Sequence, residues 1–212
     1  MIEAHDLGRE FLDAQTRFFE SNGWIMRGGS VIDATIIKAP SSAKNVAGAR
    51  DPQMHQTAGE PVVLGTSAHR RRRRNGYVHT VTVTAANAGD ITQAANLMRP
   101  DDEVRYADSG YQGVHKRPGI TGDPDLAKIQ WRVAARKSML KAMPAFDQHL
   151  ESRKASVRAS RTPVPDRQTA DRFTKTRYRG LAKNSNLQLH VLFSGANLLM
   201  HASGRITEVP GR

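Results

Sequence analysis

The sequence predicts an α/β domain with a mixed sheet and flanking helices, on three observations. Apolar, β-branched runs recur at "SVIDATIIKAP" (30–40), "YVHTVTVT" (77–84) and "KIQWRVAAR" (128–136), each short enough for a strand. A helical stretch, "DITQAANLM" (90–98), lies between the second and third and supplies a crossover. Helical patterns also stand at both ends. Residues 3–21 place Leu7, Phe11, Leu12, Phe18 and Phe19 near helical spacing, and 181–202 read as a helix weakened by Gly195.

Between these, the elements follow in order. The first strand contains one acid, Asp33, and is closed by Pro40. "APSSAKNVAGARDPQMHQTAGEP" is polar and broken by Gly and Pro, which predicts a long loop. The run 77–84 is the clearest strand, and Asp90 is placed to cap the helix after it. "DEVRYADSGYQG" predicts a short strand ending at Asp108 in a glycine turn. A helix is expected over 145–160, and no periodicity at all over 160–176. Asp33 and Asp108 are the two acids at strand positions. A buried carboxylate costs several kcal/mol unless compensated, by a hydrogen bond, an arginine or a divalent cation. Spacing alone leaves these open.

Charge is the strongest global signal. The 212 residues hold 32 Lys and Arg against 20 Asp and Glu, a net charge of +12. Such an excess points to a polyanionic partner, most often nucleic acid, against the plainer reading of a basic protein. No window approaches the ~20 apolar residues of a membrane span, and the N-terminus lacks a signal-peptide pattern. The absence of cysteine excludes disulfides and thiolate metal sites and fits a cytoplasmic protein. The eight histidines show no metal-ligand spacing.

Five blocks, "GSVIDATIIKAPSSAKN", "ARDPQMHQT", "NGYVHTVTVTAANAGDITQA", "DSGYQGVHKR" and "RYRGLAKN", together resemble bacterial insertion-sequence transposases of the IS-five family, a DDE group. They occur in the family's order and span most of residues 1–200. The resemblance implies a ribonuclease-H-like core, here partly degraded. In such a core two aspartates on neighbouring strands and a glutamate on a later helix hold Mg2+ for cleavage and strand transfer at a DNA phosphate. Asp33 in "VIDAT" matches the first aspartate and Asp108 in "DSGYQG" the second. The implied DNA contacts are Lys44, Arg158, Lys175, Arg177 and Arg179. The implied partners are element ends and target DNA, with a homo-oligomer as in transposase complexes, acting on DNA in a bacterial cytoplasm.

The third acid departs from the pattern. The family helix reads approximately K-A-S-I-R-A-K-V-E-H-P-F, whereas this chain has "KASVRA" followed by "SRTPVPDRQT". The glutamate position falls at Arg161 or Thr162, neither of which binds a cation as a carboxylate does. One choice of codons for "RTPVPDRQT", read one register over, gives E-H-P-F-R-T-V-K, the family sequence. The same shift turns "GEPVVLGTSAHRRRR" into N-Q-W-Y-L-G-Q-A-H-I-G-V-D-A, again the family pattern. Arg70 to Arg74 then read as an out-of-frame stretch rather than a selected DNA patch.

These readings divide the chain into an N-terminal helical remnant (1–28), a catalytic domain (29–202) and a tail (203–212). The family carries a further region ahead of the "HDLGREF" helix. Irregular chain is expected over 58–74 and over 160–176, where Pro163 and Pro165 interrupt a helix. With two of three acids kept, at most one Mg2+ is expected, held weakly, and the copy is expected to be inactive. The other reading is a basic DNA-binding remnant without chemistry.

Overall fold

The computed structural model describes residues 6–25, 29–40, 48–57, 62–73, 76–99, 102–148 and 175–202. Within them the chain is a mixed α/β fold: an open six-stranded sheet flanked by helices. The strands are β1 (Ser30–Lys38), β2 (His55–Gln56), β3 (Leu64–Arg73), β4 (Val78–Ala85), β5 (Val104–Ala107) and β6 (Gln130–Val133). Their order is β2-β3-β1-β5-β6, with β4 also paired to β3. The pairings β4–β3–β1 are antiparallel, while β1–β5 and β5–β6 are parallel. β1 is therefore the strand at which the sheet changes sense.

The expected strands within 30–40, 77–84, 102–108 and 128–136 all form. The stretch 58–74 does not behave as expected. Residues 64–73 form β3, ten residues long and hydrogen-bonded on both sides, to β1 and to β4. The arginine run enters this strand, with Arg70 to Arg73 in register with Ser30 to Asp33 of β1. The physical reason is backbone accounting. A chain between β1 and β4 satisfies a full row of N–H and C=O groups on each neighbour, and those rows do not depend on side-chain identity. Residues 58–61 and 74 lie outside the described residues.

Helix α1 (Leu7–Ser21) packs on β4 and on the long C-terminal helix, α5, at residues 181–202. Its buried face is Gly8, Leu12, Gln15, Thr16 and Phe19, whereas Leu7, Phe11 and Phe18 are exposed. The apolar spacing thus finds Leu12 and Phe19 on the buried face and misplaces Leu7, Phe11 and Phe18. Part of what α1 meets is polar: Gln15 Nε2 donates to the Ser194 carbonyl (3.0 Å), and Asn197 Nδ2 donates to Gln15 Oε1 (3.1 Å). Gly8 lets the two backbones touch, since a Cβ there would sit 2.0 Å from the Asn186 carbonyl oxygen. Gly8→Ala is accordingly expected to destabilise the protein by about 1–3 kcal/mol through overpacking. That outweighs the roughly 1 kcal/mol that alanine gains in a free helix. A rise in Tm for this variant would contradict the backbone contact.

α5 is continuous but not uniform. Leu181–Lys183 and Val191–Ala202 are α-helical, and Asn184–His190 between them is a π-helical segment. Gly195 does not interrupt it. Asp90 does not cap an α-helix either: residues 90–97 form two 3-10 turns, Asp90–Gln93 and Ala95–Leu97, and Gly89 holds the cap position. The short helices α2 (Pro118–Thr121), α3 (Pro124–Ala127) and α4 (Lys137–Ala142) fill the segments beside β6. Of the helix expected over 145–160, residues 145–148 are helical and the rest lies outside the described residues, as does 160–174.

One core cluster joins Ile32, Ala94, Leu97, Ala107, Tyr111, Val114 and Ile120, which packs the 3-10 turns against β1 and β5. A second, Phe19, Ile25, Tyr77 and Met200, holds α1 and α5 together; His201 stacks on Trp24 there, ring centroids 3.9 Å apart. Among the described residues no helix is long and apolar enough to cross a membrane.

Candidate functional site

The parallel pairing of β1 with β5 positions the two predicted acids. Ser30 lies opposite Arg105 and Val31 opposite Tyr106. Two residues further along each chain come Asp33, still in β1, and Asp108, one residue past the end of β5. Adjacent strands run ~4.8 Å apart, so the acids leave neighbouring strands at the same level. Backbone amides fix both. Asp33 Oδ1 accepts from the Ala34 amide (3.0 Å), and Asp108 Oδ1 accepts from the Gly110 amide (2.9 Å), capping the 3-10 turn Ser109–Tyr111. This is the end of a parallel pair, beside the strand where sheet sense reverses, where open α/β sheets place their ligands.

A third acid arrives that the sequence reading passed over. The turn starting at Asp90 packs on the turn Ser109–Tyr111. A Cβ built on Gly110 would lie 3.0 Å from Asp108 Oδ1 and 3.9 Å from Asp90 Oδ2. Partial burial, and then the charges of Asp108 and Asp33, hold the Asp90 carboxyl above its ordinary range. The signal for Asp90 was present, as an acid following "TAANAG", but a helix cap explained it equally well. As placed, the three carboxylates stop short of a closed ligand set: among the described residues no group of three His, Cys, Asp or Glu lies close enough to hold an ion.

Of the five predicted DNA-contact residues, Lys44 and Arg158 lie outside the described residues. The other three form a strip. Lys175 makes a parallel bridge to Lys38 at the end of β1, and Lys175, Arg177 and Arg179 are exposed while Thr176 between them is buried. Tyr178 is exposed as well and the chain bends over residues 178–180, so the three cations share one exposed stretch rather than alternate positions of a strand. Side chains from two blocks distant in sequence hold the strip's backbone. Asn184 Oδ1 accepts from the Arg177 and Tyr178 amides (3.2 and 3.1 Å), and Gln188 Nε2 donates to the Lys175 carbonyl (2.8 Å). Asp51 Oδ2 accepts from the Gly180 amide (2.5 Å) and Gln53 Oε1 from the Leu181 amide (2.7 Å). "ARDPQ" and "RYRGLAKN" therefore meet in space. Lys175 stands five residues from Asp33 along β1, about 17 Å at strand rise.

A polar cleft of about 570 Å3 lies elsewhere, between α1, β4 and α5, lined by Asp6, Arg9, Asp13, Asn96, Asn186 and His190 among others. Several of its polar groups bond one another. Asn186 Nδ2 donates to Asp6 Oδ1 (2.6 Å), and His190 Nδ1 lies 2.8 Å from the Ser185 carbonyl oxygen. The cleft belongs to the packing of α1 on α5. His190 carries a pH dependence of its own. Burial lowers its pKa, with the Arg9 charge acting the same way, against the opposing effects of the Ser185 carbonyl, Asp13 and the Val81 carbonyl. The unfolded chain therefore binds this proton more readily than the fold does. Stability from this group is complete above the unfolded histidine value, ~6.5, and is lost as pH falls below it. Tm is expected to drop between pH 7.5 and 5.5, and His190→Asn is expected to flatten that slope. An unchanged slope in the variant would assign the effect elsewhere.

No family model matches the chain, and no solved structure does.

Proposed function

We propose that the chain is a copy of a DDE transposase with a ribonuclease-H-like core, built to bind DNA and act on its phosphodiester bonds with a divalent cation, and impaired in that chemistry. One observation carries this reading. Asp33 and Asp108, the two acids singled out by resemblance, leave adjacent parallel strands at one level. Two acids from separate elements meeting at a strand end is the oxygen-donor arrangement that a hard divalent cation takes. The blocks of the resemblance also assemble: "VIDAT", "DSGYQG" and "GDITQA" around the acids, "ARDPQ" and "RYRGLAKN" around the basic strip.

In this reading Asp33 and Asp108 would hold Mg2+, each carboxylate oriented by its backbone amide. A bound cation would supply charge stabilisation at the phosphate and lower the pKa of an attacking hydroxyl. Lys175, Arg177 and Arg179 position the DNA backbone without reading sequence. The family's glutamate position, Arg161 or Thr162, offers no carboxylate, which is the basis for impaired chemistry.

The test is a labelled duplex oligonucleotide with Mg2+ or Mn2+, comparing the chain with a version in which the reading frame over 160–176 is restored to E-H-P-F. Cleavage by the restored chain, reduced in the present one, is the expected result. No cleavage by either, with both folded, would defeat the transposase reading.

The net charge of +12 favours one further reading, a basic DNA-binding protein without chemistry. It predicts affinity that falls steeply with salt and shows little sequence preference. Loss of the salt dependence would remove it.

A further inference from the structure

We propose that a second copy of this chain docks on the outer face of α1 and α5, the two copies meeting antiparallel about a two-fold axis. The pairing is read from exposed side chains alone and holds whether or not the chain acts on DNA.

α1 carries a second apolar face besides the one it buries. Leu7, Phe11, Ala14 and Phe18 are exposed and recur at steps of four, three and four residues, the spacing of a seam that packs on another helix. α5 continues that face. Gly8 lies against Asn186, Gln15 bonds Ser194 and Asn197, and the Phe19 ring stands 5.5 Å from that of His201, so the two helices run side by side in one direction. Val191 and Leu198, one turn to either side of Ser194, are exposed beside the seam.

Two observations favour another copy as the occupant. The first is charge. Glu10 and Arg17 are exposed on the flank of the seam away from α5, one beside Leu7 and Phe11, the other beside Ala14 and Phe18. Neither has an ion pair among the described residues. A two-fold lays one seam antiparallel on the other, so each flank meets itself. Glu10 then comes level with the partner's Arg17, and Arg17 with the partner's Glu10. On the opposite flank, Val191 and Leu198 of the two copies close the interface.

The second is area. Leu7, Phe11, Phe18, Val191 and Leu198 are between 39% and 56% exposed. Their free surface is roughly 400 Å2, the size at which a patch on a monomer is often functional. At the ~65% apolar share of homodimer interfaces, this corresponds to roughly 600 Å2 per copy. That exceeds the ~400 Å2 of packing contacts and falls short of the ~800 Å2 of a standard interface, which suits a dimer in exchange with its monomer.

Sedimentation equilibrium of the full chain without DNA tests this, at ~150 mM salt to screen the +12 charge of each copy. A monomer–dimer equilibrium is expected. Phe11→Ser, counted twice by the symmetry, is expected to weaken it by about tenfold or more. Arg17→Glu is expected to weaken it by about threefold or more, and Glu10→Arg with Arg17→Glu to return it to within about twofold of the parent. The chain has no cysteine, so single cysteines report the register. A short bis-maleimide is expected to join two copies of Ala14→Cys, near the axis, and not of Leu7→Cys, at the end of the seam. Far-UV spectra matching the parent's check the fold of each variant, all at exposed positions. A monomer at every concentration, the result if some other partner covers this face, overturns the proposal. So does a dimer that Phe11→Ser leaves unchanged. Joining at Leu7→Cys but not Ala14→Cys, or failure of the double exchange to recover what Arg17→Glu loses, overturns the antiparallel pairing.

Discussion

Asp102→Ala is expected to cost about 3–5 kcal/mol, a large part of the 5–15 kcal/mol by which a domain is stable. Arg105 and Asp102 form an ion pair of 2.5 Å whose side chains are both 0% exposed. Ser30 Oγ donates to Asp102 Oδ2 (2.8 Å), and the Arg105 guanidinium donates to the carbonyls of Leu97 (3.1 Å) and Arg99 (3.3 Å). It also lies 5.9 Å from the Trp131 ring centroid in β6. Removing the carboxylate strips a buried guanidinium of its counter-charge, and that penalty dominates the result. The pair need not be favourable as a whole: replacing both partners by apolar residues of similar volume, as in Asp102→Leu with Arg105→Met, is expected to lose less than Asp102→Ala alone. Urea melts check this through the midpoint, with the slope held constant as the control on compactness. A loss under ~1 kcal/mol for Asp102→Ala would mean that the guanidinium reaches water. The pair bears on the site as well. It fixes Ser30 of β1 against the start of β5, and that register sets Asp33 beside Asp108.

How much of this the sequence disclosed depends on whether local pattern or distant contact decided the outcome. β1, β4, β5 and β6 are short apolar or β-branched runs bounded by breakers, so period and punctuation marked them. Asp33 and Asp108 were visible because a carboxylate inside or at the end of such a run is anomalous. β3 was hidden because its second half is arginine, and pattern reading treats five cations in a row as solvated chain. Pairing with β1 and β4 overrides that preference.

Helix α1 shows the opposite case in part: Leu12 and Phe19 are buried as the pattern has it. Its pattern was plain, yet the buried face includes Gln15 and Thr16 while Phe11 and Phe18 are exposed. The reason lies 179 residues away, in Ser194 and Asn197 of α5, whose polar groups needed partners. Asp90 was missed for a related reason. Its neighbours on the chain explained it as a cap, and only the packing of two 3-10 turns brings it to Asp108. Acids that meet through loops leave no spacing to read.

Asn184→Ala is expected to cost about 2–4 kcal/mol and, if the chain binds DNA as proposed, to weaken that binding without removing a charge. Asn184 is 0% exposed and forms four hydrogen bonds to the basic strip. Its Oδ1 accepts from the amides of Arg177 and Tyr178, and its Nδ2 donates to the carbonyls of Tyr178 and Gly180, both at 2.7 Å. Gln188 Oε1 also accepts from the Arg177 amide (3.0 Å), so that group keeps a partner in the variant, and Tyr178 loses both of the bonds that Asn184 makes to it. Orphaned backbone groups cost about 1–3 kcal/mol each when buried and less where water enters, hence the range. Gly180, at φ 87°, closes the same turn in a conformation that disfavours side chains. Freed of Asn184, the turn that sets the relative placement of Arg177 and Arg179 loses these hydrogen bonds. If binding depends on that shape, affinity for a duplex at ~50 mM salt falls while Lys175, Arg177 and Arg179 are all still present. If binding is only a matter of net charge, Asn184→Ala binds as the parent does, and Arg179→Ala alone lowers the salt slope, by about 1. Anisotropy titrations at two salt concentrations, below the Tm of both variants, separate the cases. Equal affinity for folded Asn184→Ala and the parent would reduce the strip to three cations with no designed geometry.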